Sequence, residues 1–299
     1  MAHIGFLWTP MLQSYQMRVL LYYKYITVPD PAAETEQHRA LCEKLDLKGR
    51  ILISSEGING TCSGTEDNIE AYKKALNAHP IFCDIAFKES DHPTHAFKKL
   101  FVRLRPEVVT LRAGIEAKNA APYISPEQLQ AELERNENLV LIDMRNDYEA
   151  EIGRFRNAVT LPMKNFRDLP EHMPELKQYE GRNVVTYCTG GIRCEKASAL
   201  LKAHGFADVR QLEGGIVRYC EEFPNGYYDG SLFVFDERRT MRFPGARKVT
   251  YTSQCSYCGV ASDRHIDCTD DICHTLFVCC ESCEKTCSGY CKAHQNVTV

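Results

Sequence analysis

The stretch NVVTYCTGGIRCEKASALLKAHGF, residues 183–206, reads as a strand, a tight loop and a helix in direct succession. NVVTYC is an apolar run and reads as a strand. CEKASALLKAHGF carries a helical pattern that Gly205 stops. Working outward, SPEQLQAELERN (125–136) is a capped helix, NLVLIDMR (138–145) a buried strand and VRQLEGG (209–215) another strand. Alternation with short connections implies a parallel α/β sheet covered by helices, over residues 123–224.

The chain ahead of it has a different rhythm. RVLLYYKYITV is a strand, PDPAAETEQHRALCEKLDL a helix opened by proline and acidic residues, and RILISS and NGTCSG neighbouring strands around Glu56-Gly57-Ile58-Asn59. TEDNIEAYKKALNAH is a threonine-capped helix with apolar Ile69, Tyr72, Ala75 and Leu76, and IFCDIAFKES and KLFVRLRPEVV close the sheet. This order suits an α+β, ferredoxin-like β-α-β-β-α-β domain over residues 17–112. Residues 113–122 read as a linker, residues 225–299 as a small C-terminal basic and cysteine-rich region, and residues 1–16 as a disordered extension without signal-peptide character.

Cys188 ends the strand, and the loop after it enters a helix. Backbone N–H groups and the helix dipole there favour an anion, which would lower the thiol pKa and keep a thiolate or persulfide ready to react. The loop is Thr189, Gly190, Gly191, Ile192 and Arg193; the glycines permit left-handed backbone and Arg193 adds a permanent cation. Four residues separate Cys188 from Arg193. Cysteine phosphatases use a longer loop that cradles a phosphate, whereas this tighter ring suits a single extra sulfur. Cys194, just inside the helix, is either a resolving thiol or a packing residue. A core cysteine beside a glycine turn is the plain alternative for Cys188.

Nine of fifteen cysteines lie between Cys255 and Cys291. In a chain without signal-peptide character, such clustering points to the cytoplasm and to metal or thiol chemistry, and no apolar run is long enough for a membrane span. Cys255-x2-Cys258 and Cys280-x2-Cys283 are two knuckles that together complete a tetrahedral zinc site. Cys268, Cys273, Cys287 and Cys291 form a possible second site, with Cys279 or His274 as substitutes. An iron–sulfur cluster or redox thiols are the alternatives. His265-Ile266-Asp267 with His274 or His294 matches an iron facial triad only superficially. No glycine-rich dinucleotide fingerprint is present, so an organic cofactor is unknown.

The net charge of −4 argues against a generally basic nucleic-acid binder. Local patches remain. Lys98, Lys99, Arg103, Arg105 and Arg112 interleave with Phe97, Phe101 and Leu104, and Arg238, Arg239, Arg242, Arg247 and Lys248 flank Phe243. Such residues suit phosphate contacts and base stacking on a single-stranded loop, or simply a charged outer strand face.

Residues 123–224 resemble a rhodanese domain through IDMRNDYE (Asp143, Arg145, Glu149), CTGGIRC and LEGGI (Glu213, Gly214, Gly215). The resemblance assigns the persulfide-carrying role to Cys188; Asp143 and Arg145 read as a structural ion pair. Gly153-Arg154 departs from the family's Gly-His pair and receives no role. With SSEGINGT (54–61), HAFKKLFVRLRPEVV (95–109), FVFDERRTMRF (233–243) and the cysteine-rich tail, the chain is similar to the bacterial oxygen-dependent tRNA uridine hydroxylases. That likeness implies 5-hydroxylation of the wobble uridine, molecular oxygen as co-substrate, the tRNA anticodon stem-loop as partner and an acylphosphatase-like first domain. A rhodanese-type sulfurtransferase served by a sulfur-donor protein, or a non-catalytic RNA scaffold, are the competing readings.

Overall fold

A computed structural model describes residues 17–135, 138–246 and 250–295. The expected extension 1–16 and the basic residues Arg247 and Lys248 lie outside these residues. The chain divides into two compact units, one ending at Val108 and the other starting at Val109.

In the first unit, strand β1 (Met17–Tyr25) sends Leu20 and Tyr22 into the core. Helix α1 (Pro31–Lys44) starts on Asp30, whose carboxylate accepts the Ala33 N–H at 2.9 Å. Strands β2 (Lys48–Ser54) and β3 (Gly57–Gly64) form a hairpin, and Thr65 caps helix α2 (Glu66–Asn77). Strands β4 (Phe87–His92) and β5 (Leu100–Leu104) follow. The order is β4-β1-β3-β2-β5, antiparallel except where β5 lies parallel to β2. The first four strands give the ferredoxin-like arrangement, and β5 extends it. The strand expected from Ile81 starts only at Phe87; Phe82 and Ile85 are instead buried in the turn before it. SSEGINGT has a structural task here. Gly57 has φ +142°, and a Cβ on it would sit 2.0 Å from the Lys24 carbonyl oxygen. Glu56 and Asn59 then hold both polar backbone groups of Val108, at 2.8 and 3.0 Å.

The second unit contains β6 (Tyr123–Ile124), α3 (Pro126–Glu134), β7 (Leu139–Asp143), α4 (Asp147–Ile152), β8 (Gly153–Phe155), a short α5 (Met173–Leu176), β9 (Asn183–Tyr187), α6 (Ile192–Ala203), β10 (Val209–Leu212) and α7 (Gly215–Glu222). Strands β6-β10-β9-β7 form a parallel sheet. Alternate residues feed two cores: Val140, Ile142 and Val184 on one face, Leu141, Val185 and Tyr187 on the other. That is why these strands read as continuous apolar runs.

The segments expected as a linker and as a separate C-terminal region both join this packing. Ala113, Ile115 and Ala121 lie against the first of its two cores. Strand β11 (Tyr228–Gly230) pairs antiparallel with β8, and Leu232, Val234, Met241 and Phe243 join the second core. A hairpin follows, β12 (Leu232–Phe233) with β13 (Thr240–Met241). The tail adds the β14 (His265–Asp267) and β15 (Leu276–Val278) ribbon and helix α8 (Glu281–Cys287). Its own cluster is small and consists largely of cysteines.

Candidate active site and metal centres

Cys188 sits at the end of β9 and is fully buried. The loop after it is shaped from three sides. Gly191 has φ +106° and passes the chain into α6, donating its N–H to Cys188 Sγ at 3.2 Å. The first N–H groups of α7 take the loop carbonyls: Ile216 donates to Cys188 O at 3.0 Å and Val217 to Thr189 O at 3.1 Å. Gly215 makes that approach possible, because a Cβ there would lie 2.5 Å from Cys188 O. LEGGI is thus the wall of the loop, with its carbonyls drawn away and N–H groups left for the sulfur.

Arg193 is buried and faces Glu149, donating to its two oxygens at 2.5 and 2.8 Å and to Thr189 Oγ1 at 3.2 Å. Glu149, in the first turn of α4, also accepts the Asn146 N–H at 3.0 Å. Asp143 and Arg145 form the expected buried ion pair at 2.6 Å, and Arg145 also donates to Gly153 O. Gly190 is buried, while Thr189 and Ile192 are half-buried.

Burial alone pushes the Cys188 thiol up. A hydrogen bond from the Cys194 thiol, the Arg193 charge and the N–H groups of Arg193 and Gly191 overcome it and bring the thiol down to about 5. Cys194 shifts the other way, because it is buried beside that anion. The pair therefore holds one thiolate and one thiol donor, an arrangement suited to nucleophilic or persulfide sulfur at neutral pH.

In the tail, the sulfurs of Cys255, Cys258, Cys280 and Cys283 converge as their spacing suggested. The second cluster differs from expectation: it is Cys268, Cys273, Cys291 and His294. Cys287 lies instead in an apolar cluster with Cys255 and Cys279, and neither Cys279 nor His274 belongs to either set. His294 follows Cys291 at the C-x2-H spacing of a zinc knuckle, the signal that could have found it. Cys258 and Cys280 sulfurs stand 3.7 Å apart, Cys273 and Cys291 sulfurs 3.8 Å. A tetrahedron with metal–sulfur bonds of ~2.3 Å has edges of about 3.8 Å, so the donors fit zinc. Among the described residues no ligand set joins His265 and Asp267 to His274 or His294.

Family models match along the chain in three places: a UPF0176 acylphosphatase like domain over residues 17–108, a rhodanese-like domain over 125–222 and a rhodanase C-terminal region over 229–295. Curated relatives named tRNA uridine(34) hydroxylase match nearly end to end. The protein of Cytophaga hutchinsonii is 42% identical, over 95% of this chain and 91% of its own. That of Shouchella clausii is 41% identical over 94% and 90%, and that of Oceanobacillus iheyensis 43% over 91% and 85%. The chain belongs to the tRNA uridine(34) hydroxylase family.

Among the basic residues of this hydroxylase-family chain, two groups behave differently. Lys98, Lys99, Arg103 and Arg105 are exposed on or beside β5, with Arg103 stacked 4.8 Å over the exposed Phe101 ring. Arg50, which the sequence did not single out, stands opposite Phe101 on β2 with its side chain still exposed; partial desolvation first, and then the charges of Arg105 and Arg103, push its guanidinium down. These three arginines crowd one another. Arg238, Arg239 and Arg242 instead pair within the chain, with Asp236, Asp267 and Asp263. No described helix is long and apolar enough to cross a membrane.

Proposed function

We propose that this chain hydroxylates the wobble uridine of tRNA at the 5-position with molecular oxygen, and that Cys188 is the reacting sulfur. The single observation that carries the Cys188 assignment is the lowered thiol, held by Gly191 N–H, Arg193 and Cys194 inside the loop. The substrate follows from the names of its relatives. Transfer of one oxygen atom to uridine leaves the second to depart as water, which needs two electrons and two protons. Oxidation of Cys188 and Cys194 to a disulfide releases that number for one turnover, with Cys194 as the resolving thiol, and an external thiol reductant returns the pair to the dithiol before the next. In the first unit the exposed Arg50, Arg103 and Arg105 beside Phe101 are the residues suited to tRNA phosphates, because like charges there favour an anion. Lys98 and Lys99 extend that surface. Arg238, Arg239 and Arg242 serve less, because each is already neutralised. Two zinc ions, one in each tail cluster, hold a region with too little apolar core to fold alone.

A sulfurtransferase reading draws on the same loop, whose N–H groups suit a persulfide equally well. One experiment separates them: tRNA incubated with protein under air and under argon, followed by nucleoside mass analysis. Oxygen-dependent gain of one oxygen on uridine, lost in Cys188→Ala, is expected. A gain of sulfur mass, or activity intact in Cys188→Ala, overturns the reading.

A further inference from the structure

The hairpin β12–β13 presents one aromatic residue beside the Cys188 loop whose ring stays half outside the packing. Phe235 is 51% exposed, and the Arg193 guanidinium lies 5.9 Å from its ring centroid. Single exposed phenylalanines are ordinary. What distinguishes this one is how firmly it is held over the cation of the reactive loop. Its neighbour Phe233 is buried, with rings of Tyr148 at 5.2 Å and His265 at 5.7 Å, and Phe235 packs edge-on against Phe233 at 5.1 Å. The hairpin turn is equally fixed. The Asp236 carboxylate accepts the Arg238 backbone N–H at 3.0 Å and pairs with its guanidinium at 2.6 Å, while Val234 N–H donates to Arg239 O at 2.9 Å. Arg239 adopts φ +57° to close it. The result is a ring anchored by Phe233 and by the hydrogen-bonded turn, with exposed apolar surface and one side toward Arg193.

We propose that Phe235 is the stacking platform that receives the target uracil at the Arg193 end of the Cys188 loop. The inference rests on the hydroxylase reading and names the residue that receives the base. An extruded pyrimidine needs an aromatic or guanidinium plane to replace its lost stacking. Phe235 supplies the plane, and the Arg193–Glu149 clamp fixes the cation behind it. Stacking orients the ring without reading its edges, so Phe235 governs placement of the base and leaves uracil identity to other groups.

The test uses the full chain with Phe235→Leu, which keeps apolar cover but not stacking, and Phe235→Trp, which keeps both. Three quantities are measured: quenching of a fluorescent uridine analogue at the wobble position of an anticodon stem-loop, KM and kcat for hydroxylation, and the ultraviolet titration of the Cys188 thiolate. Phe235→Leu should lose the quenching and raise KM roughly 5- to 150-fold, while Phe235→Trp keeps the quenching and a KM near that of wild type. The thiolate titration should stay unchanged in each. Quenching retained in Phe235→Leu overturns the proposal. So does a thiolate shift that accompanies the loss, since Phe235 would then only shield Arg193. Quenching that depends on Phe235 with no oxygen gained by the wild-type chain keeps the stacking and refutes the hydroxylase reading instead.

Discussion

Arg193 and Glu149 stand 44 residues apart in sequence and meet as a bidentate pair, nitrogen to oxygen at 2.5 and 2.8 Å. Glu149 is fully buried and Arg193 nearly so. Their pairing ties the start of α4 to the start of α6 and fixes the cation that acts on Cys188. Removing one partner of such a pair leaves an uncompensated buried charge, a loss of about 3–5 kcal/mol. Glu149→Ala should therefore lower the melting temperature substantially and weaken activity, with Glu149→Gln milder on both. Thermal unfolding and single-turnover assays check it, and a Glu149→Ala chain as stable as wild type would refute the clamp.

The Cys188 thiol has a folded pKa of about 5 against an ordinary 9.0. Its thiolate should appear as pH rises through about 5 and be complete at neutrality, read as ultraviolet absorbance lost in Cys188→Ala. Because the folded pKa is depressed, the group's stabilisation is full above about 9 and falls away as pH drops toward 5. Stability of Cys188→Ala relative to wild type should thus improve across that window on acidification. Titration near the ordinary thiol value would contradict the loop electrostatics.

The two tail clusters should yield two zinc ions per chain by elemental analysis of anaerobically purified protein. His294→Ala should lose one ion, whereas Cys287→Ala should keep both, because Cys287 stands outside the set. Chelation should loosen the tail, seen as faster proteolysis after Phe243. Loss of an ion in Cys287→Ala would restore the ligand assignment based on cysteine spacing alone.

Arg50, Arg103 and Arg105 should contribute to tRNA affinity through phosphates. Replacing each by glutamine should weaken binding and flatten the salt dependence by about 0.7–0.9 in slope for each phosphate no longer neutralised. Arg239→Gln should do less, because Arg239 is already paired with Asp267. Equal effects at all four positions would argue for a diffuse field.

Much of this was legible along the chain. Apolar runs such as NVVTY marked strands, and Thr65 and Ser125 marked helix starts whose side chains do accept the capping N–H groups. The first pair of cysteine knuckles was legible because a C-x2-C turn is local. Glu149 was visible as a motif residue, yet no spacing or pattern paired it with Arg193.

Features set by near neighbours along the chain were readable in advance: strand and helix periods, caps, the Cys188 loop with its two glycines, and the first cysteine knuckles. Tertiary structure decided everything that depends on residues far apart. It exchanged Cys287 for His294, neutralised Arg238, Arg239 and Arg242 while leaving Arg50 crowded against Arg103 and Arg105, and brought Phe235 over Arg193. The physical reason is range. Backbone propensities and turn geometry act within a few residues, whereas charge pairing, ligand convergence and ring packing depend on distance in space, which only the packed chain defines.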